Sequence, residues 1–201
     1  MNGRTYAQKF RGIISLMSSM LLIFPKSFRL FLLKTFRGLK GRTGIIVRYI
    51  LIKNLASQCG NNVCIMEDVY LHNVEKLCIG DNVSIHPLCY VDAIGEINIG
   101  DNVSIAHNCS LVSFNHTYHD TTSPIKYNPL VNGKITIEND VWIGCGVRIL
   151  ADTIIGERSI VAAGAVVNKN LPSHTISAGV PAKPVKSIEL TKHICQKNFL
   201  S

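Results

Sequence analysis

The chain has 201 residues and a mass of 22.1 kDa, with 47% apolar and 17% charged residues. That is enough for one domain with its own core, and too apolar for a disordered charged tail. Twenty-one Lys and Arg against 13 Asp and Glu give a charge of +8, yet residues 1–53 hold eleven of the bases and no acid, and the remainder nets −3. The excess belongs to one segment, which argues against a nucleic-acid-binding surface.

That basic segment comes first. Residues 13–24, IISLMSSMLLIF, carry no charge and end at Pro25. Twelve residues are too few to span a bilayer, which takes about 20, and no small-x-small cleavage pattern follows them. Residues 25–40 predict a basic amphipathic helix, with Phe28, Leu32, Phe36 and Leu39 at helical spacing. Such a helix can lie on an anionic membrane surface, or its apolar face can pack on the domain or on a second subunit.

A repeat decides the fold. IGDNVSI stands at 79–85 and again at 99–105, and beneath it runs a period of six. Positions 137, 143, 149, 155, 161 and 167 are Ile, Ile, Ile, Ile, Val and Val. Positions 65, 71 and 77, then 79, 85, 91 and 97, then 99, 105 and 111 are all aliphatic, with slips of two between the runs. Six matches neither the 3.6 of a helix nor plain alternation. It fits a chain that turns every six residues and sends one aliphatic side chain inward per edge, the pattern of a parallel β-helix. No helical pattern separates the strands as βαβ units require. Residues 117–134, rich in Pro, Asn, Thr and Gly, break the period and predict a loop excursion.

Seven cysteines (59, 64, 78, 89, 109, 145, 195) are odd in number and lack C-x-x-C spacing. A disulfide framework or structural zinc site is not expected, and the reading is a reducing compartment, the cytoplasm.

The hexapeptides, the run IENDVWIGCGVRI (137–149) and SAGVPAKPV (177–185) resemble the left-handed β-helix acyltransferases of the hexapeptide-repeat superfamily, over about residues 58–186. Within it the pattern is similar to maltose and galactoside O-acetyltransferases, streptogramin acetyltransferases and O-acetyltransferases of surface polysaccharides. The resemblance implies an all-β fold of about five to six coils, each of roughly 18 residues. A helical extension at 1–57 would precede the prism, and a tail or short C-terminal helix at 187–201 would follow it. It implies acetyl-CoA as cosubstrate, no metal, a sugar or glycan acceptor, and a homotrimer with sites between subunits.

Seven histidines (72, 86, 107, 116, 119, 174, 193) are candidates for chemistry. The family's catalytic histidine sits where the repeat ends and the loop leaves, which is His116; His119 is its competitor. A thioester is already activated, so the enzyme needs only a base for the attacking hydroxyl and donors for the oxyanion. Asp92 is the expected partner in orienting His116 or holding the acceptor, with Asn115 assisting. Asp101 is the alternative, although it shares the repeated IGDN turn with Asp81. Glu96 is a weak candidate. His86 falls where relatives carry an acceptor-binding Asn. Trp142 matches a tryptophan beside acceptor and thioester. By resemblance, Cys145, Ala163, Gly164, Asn168 and Lys169 follow the pantetheine arm. Gly179, Val180, Pro181, Ala182, Lys183 and Lys186 would lie near the nucleotide end. A γ-carbonic anhydrase on this prism needs H-x-x-x-x-H, and the chain has only H-x-x-H at 116 and 119. A non-catalytic scaffold is opposed by the intact His116 and Trp142. A serine acetyltransferase is opposed by the absence of its acidic helical domain.

Overall fold

The structure, a computed structural model, describes residues 11–189. Arg4, Lys9, His193 and Cys195 lie outside them, as does nearly all of the expected C-terminal tail or helix. Among the described residues three helices come first: α1 (Arg11–Met20), α2 (Lys26–Thr35) and α3 (Gly41–Ile52), with 3-10 turns at Leu21–Ile23 and Phe36–Gly38. The coils follow. The first holds β1 (Gln58–Cys59), β2 (Cys64–Ile65) and β3 (Tyr70–His72); the second, β4 (Leu77–Ile79), β5 (Ser84–Ile85) and β6 (Tyr90–Asp92); the third, β7 (Ile97–Ile99), β8 (Ser104–Ile105) and β9 (Ser110–Val112). A hairpin of β10 (Phe114–His116) and β11 (Leu130–Asn132) leaves the prism here. The fourth coil holds β12 (Ile135–Ile137), β13 (Trp142–Ile143) and β14 (Arg148–Ile149); the fifth, β15 (Thr153–Ile155), β16 (Ile160–Val161) and β17 (Val166–Val167). β18 (Thr175–Ala178) and β19 (Lys183–Ser187) close the last, partial turn. The fold is thus a left-handed parallel β-helix of about six turns.

The period of six becomes three inward columns. On the second face Ile65, Ile85, Ile105, Ile143 and Val161 stand in register and are fully removed from water. On the third, Val91, Leu111, Ile149 and Val167 do the same, with Leu71 partly covered in the first coil, and on the first Ile79, Ile99, Ile137 and Ile155 are at most 3% exposed. Full burial of each aliphatic is worth about 1.5–3 kcal/mol. Cys89 and Cys109 are buried at the corner after the second face and donate their thiols to the Ala106 and Gly144 carbonyls, each at 3.1 Å.

The twenty-residue repeat has a physical cause. In the first two coils, partners in register are twenty residues apart, as in Gln58 with Cys78 and Cys78 with Asn98. From the fourth coil to the fifth the spacing is 18, Ile135 with Thr153. The extra two residues sit after the third face, at the 3-10 turn Val74–Lys76 and at the Ala93-to-Glu96 turn. The expectation of roughly 18 residues per coil therefore holds between the fourth and fifth coils, is exceeded below the hairpin, and falls to 16 at the last turn, as in Ile160 with Ile176.

IGDNV is the corner between the first and second faces. A Cβ on Gly80 would lie 2.7 Å from the Gly100 carbonyl carbon of the next coil, so the stacking distance admits only glycine. Asn62, Asn82 and Asn102 adopt left-handed backbone with φ of 56°, 59° and 58°, a region asparagine tolerates better than most residues. Their side chains form a ladder, Asn62 Nδ2 donating to Asn82 Oδ1 at 2.9 Å and Asn82 Nδ2 to Asn102 Oδ1 at 3.0 Å.

Arg48 holds the helical extension to the prism. It is 1% exposed. Its Nε donates to Ile65 O at 2.9 Å, and its Nη1 to the carbonyls of Phe36, Arg37 and Leu39 at 3.1, 3.1 and 2.7 Å. One cation thus satisfies the frayed end of α2 and the edge of the first coil together. Burial lowers its pKa from the ordinary arginine value, partly opposed by Glu67.

Two expectations about the extension change. The single helix over 25–40 ends at Thr35 and tightens into a 3-10 turn, whose carbonyls turn toward Arg48. The inward face of α2 is Leu33, with Leu30 and Leu32 partly covered, whereas Phe28, Phe36 and Leu39 are exposed. Pro25 and Arg29 set that rotation: Pro25 fixes the entry, and Arg29 Nη1 donates to Asn54 O at 3.0 Å.

Two expectations about stability follow. Ile105→Ala leaves a cavity in the middle of a continuous column and lowers the unfolding free energy by about 2–5 kcal/mol in urea titration. Arg48→Ala strands the carbonyls of Ile65, Phe36, Arg37 and Leu39 and costs about 3–5 kcal/mol; it also makes residues 36–40 the first site of limited proteolysis, while Lys40→Ala leaves the digestion pattern unchanged.

Candidate active site

His116 does not end a coil. The prism's third strand stops at Val112, and Phe114, Asn115 and His116 form the outgoing arm of the hairpin, paired with Asn132, Val131 and Leu130. The predicted loop of 117–134 therefore has a structured stem. Ser113, fully buried, makes the exit: its hydroxyl donates to Asp92 O at 2.6 Å and accepts the Gly95 N–H at 2.8 Å. Thr117 returns the far end, its N–H and hydroxyl both bonding to Pro129 O. The imidazole of His116 is exposed, as is Asn115.

Asn128 was not singled out by sequence reasoning, and the loop depends on it. It is 5% exposed, donates to the carbonyls of Asp120, Ser123 and Pro124, and accepts the Asp120 N–H at 3.1 Å. An Asn before Pro in a polar loop is the available signal, and it reads only as a turn. His119 stands inside this loop, its ring on Tyr118 with centroids 4.7 Å apart.

Asp92 ends β6 on the third face and is half-buried. It accepts from Asn73 Nδ2 at 2.7 Å and from the Ile94 N–H at 3.2 Å, and the Tyr90 hydroxyl lies 3.5 Å away. Burial and this carboxylate raise the Tyr90 pKa. Tyr90 also faces His72, one coil below, with ring centroids 5.1 Å apart. Aromatic, imidazole and carboxylate thus share the outer surface of the third face below the hairpin. Asp101 has a different task. Its Oδ1 accepts the Asp81 N–H at 2.7 Å, as Asp81 Oδ1 accepts the Asn61 N–H at 2.6 Å and Asn139 Oδ1 the Asp101 N–H at 2.8 Å. That column of side chains bonded to backbone is a corner device. Glu96 pairs with Lys134 at 3.3 Å, an exposed contact.

Of the residues expected along pantetheine, Cys145, Ala163 and Gly164 fall on one corner, between the second and third faces. His107 O accepts the Gly146 N–H at 3.0 Å, Cys145 O the Gly164 N–H at 2.8 Å, and Gly179 O the Val166 N–H at 3.1 Å. These bonds stack Cys145, Ala163 with Gly164, and Gly179 coil upon coil. His86 begins the same corner two coils below Cys145, its N–H bonded to Ile105 O. Gly164 and Gly179 have φ of +71° and +98°. Asn168 and Lys169 lie instead at the exposed corner after the third face, and Lys183 and Lys186 on the exposed strand β19.

Trp142 is 54% exposed on the second face, in register with Ser104 below and Ile160 above. It lines a cleft of about 300 Å³ with Asn102, Ser104, Asp140, Arg158, Ser159 and Ile188. Within one chain the site residues are therefore spread over a face and two corners. His116 stands beyond the third face, Trp142 on the second, and the glycine corner between them. Among the described residues no cluster of three or more His, Cys, Asp or Glu side chains is arranged to hold a metal.

Comparison with known proteins agrees with this architecture. Residues 134–169 match the family described as bacterial transferase hexapeptide (six repeats). A putative acetyltransferase of Saccharomyces cerevisiae is 33% identical over 143 residues, 69% of each chain. The galactoside O-acetyltransferase of Escherichia coli is 35% identical over 95 residues, 44% of this chain and 47% of that one. A solved galactoside acetyltransferase in complex with coenzyme A superposes with a TM-score of 0.73 at 29% identity, over 82% of this chain and 80% of that one. Against several curated relatives the aligned part reaches only 24% to 47% of their length. Identity of 33% across 69% of each chain to an acetyltransferase relative, with the matched hexapeptide repeats, places the chain in the hexapeptide-repeat acetyltransferase superfamily.

Proposed function

We propose that this chain transfers an acetyl group from acetyl-CoA directly to a sugar hydroxyl, with His116 as general base. The observation that carries the reading is the presentation of an exposed His116 on a stem anchored by Ser113 and Thr117, in a chain whose relatives are acetyltransferases. Neutral imidazole takes the hydroxyl proton as the oxygen attacks the thioester carbonyl. The tetrahedral oxyanion collapses, the C–S bond breaks, and the proton passes to the departing thiolate. No covalent acyl-enzyme is required.

The remaining assignments rest on the family resemblance, with support from placement for some of them. Asp92, rather than Asp101, orients His116 or the acceptor, because Asp101 is committed to its corner. Asn115 and His86 assist at the acceptor, and Trp142 supplies a flat apolar wall suited to a sugar ring. The corner of Cys145, Ala163, Gly164 and Gly179 offers small residues beside which the pantetheine arm can run. Asn168 and Lys169 are expected farther along the pantetheine arm, and Lys183 and Lys186 toward the nucleotide as point charges for phosphate. The wide separation of these groups in one chain supports a homotrimer with each site formed between two subunits. The acceptor is proposed to belong to polysaccharide or cell-surface glycan synthesis. The basic N-terminal segment supports peripheral contact with the inner face of a membrane, where such glycans are assembled on lipid.

His116→Ala is expected to lower acetyl transfer by about 10²–10⁴-fold while leaving the thermal stabilisation by acetyl-CoA intact. CoA release from acetyl-CoA with a panel of free sugars, nucleotide sugars and oligosaccharides measures it. Transfer persisting within about tenfold of the parent would remove His116 from the mechanism.

A further inference from the structure

The helical extension leaves a ridge of large apolar side chains uncovered. In sequence order Met20, Leu22, Ile23, Phe24, Phe28 and Phe31 are all exposed, Ile23 at 82% and Phe31 at 60%. The rings form one line, Phe24 to Phe28 at 5.2 Å between centroids and Phe28 to Phe31 at 6.3 Å. An aromatic line of this kind on a soluble face marks an interaction surface. α2 is also too well anchored on its other side to turn these rings inward: Leu33 is buried, and Arg29 and Arg48 hold both of its ends.

What surrounds the ridge selects the occupant. No acid occurs in the first 66 residues. Lys34 and Lys40 stand exposed beyond the last ring, and Lys26 lies at the start of α2, its ammonium 3.6 Å from Glu75 with both side chains about half in water. Apolar side chains that can sink below the headgroups, beside cations and with no acid in the segment, match an anionic bilayer surface. None of the described helices is long and apolar enough to cross a membrane, so the fit is to lying on the surface.

We infer that the Ile23–Phe24–Phe28–Phe31 ridge is the element that docks this enzyme on an anionic lipid surface, its rings entering the headgroup region and Lys34 and Lys40 facing anionic headgroups. This deepens the membrane contact of the proposed function and rests on that reading; it is read without catalysis, so acetyl transfer tests the enzyme separately.

The experiment is co-sedimentation of the full chain with phosphatidylcholine vesicles prepared with and without phosphatidylglycerol. The wild type is expected to bind the phosphatidylglycerol vesicles and to be released by high salt. The triple variant Phe24→Ser, Phe28→Ser, Phe31→Ser should weaken that binding by about tenfold or more. It should keep the parent's melting temperature, oligomeric mass by light scattering and CoA release with soluble acceptors. Lys34→Glu with Lys40→Glu should abolish the preference for anionic vesicles. A wild type that stays in the supernatant, or a triple variant that binds as well as the parent, overturns the inference. A triple variant with altered oligomeric mass assigns the ridge to a subunit contact and overturns it too.

Discussion

Along each face of the prism, backbone groups find their hydrogen-bond partners in the coil above or below, and that constraint governs the rest. It forces strict register, since a slip of one residue would turn an inward column outward. It also fixes how close the corners approach, which is why Gly80 can bear no side chain and why Asn62, Asn82 and Asn102 adopt left-handed backbone. Even the turn chemistry is shared between coils: a carboxylate or amide in one coil bonds the backbone N–H of its neighbour, from Asn61 through Asp81 and Asp101 to Asn139. A solenoid built this way has two open ends. At the first coil α3 covers the end, pinned by Arg48 and by the Tyr49 hydroxyl on Gly60 O at 3.0 Å. At the last, β19 folds back antiparallel on β18, replacing the repeat with a hairpin.

A column that must stay in register can be interrupted only at a corner. The hairpin leaves after the third face, and the coils above resume with Ile135 over Ile97 as though nothing intervened. The prism therefore tolerates an insertion without disturbing its core and gives it a rigid base. Ser113 and the paired stem define where His116 stands, while Asn128 shapes the loop beyond. Rigid coils supply position and the inserted arm supplies a titratable group, an arrangement that suits the general-base role proposed for His116.

The fold was legible in the sequence because its dominant signal is local and periodic: Ile137, Ile143, Ile149 and Ile155 announce the turns without reference to anything distant. The extension was less legible. An amphipathic spacing at Phe28, Leu32, Phe36 and Leu39 gave a plausible inward face, but the rotation of α2 is set by long-range bonds from Arg29 and Arg48 that no helical period records. The site was legible in parts. Asp81 and Asp101 read as turn residues from their repetition, and the ladder gives that reading its physical content. The stacking of Cys145 under Ala163 and Gly164 follows from the period, whereas Gly179 joins the corner only because the last turn is two residues shorter. The stem around His116 and the buried Asn128 did not, because loops carry no period and their hydrogen bonds join residues by geometry alone.

The proposed site needs two chains, since His116 and the Cys145–Ala163–Gly164 corner lie on opposite sides of the third face of one prism. Subunit complementation tests it most directly. Chains carrying His116→Ala are co-expressed with chains carrying Ala163→Trp, an exposed position where the indole blocks the corner. Each variant alone is predicted to be inactive, and the mixture to recover about a quarter of the parent rate, because one interface in four joins the two intact halves. A mixture no more active than its components, with mixed oligomers verified by mass, would contradict a site shared between subunits.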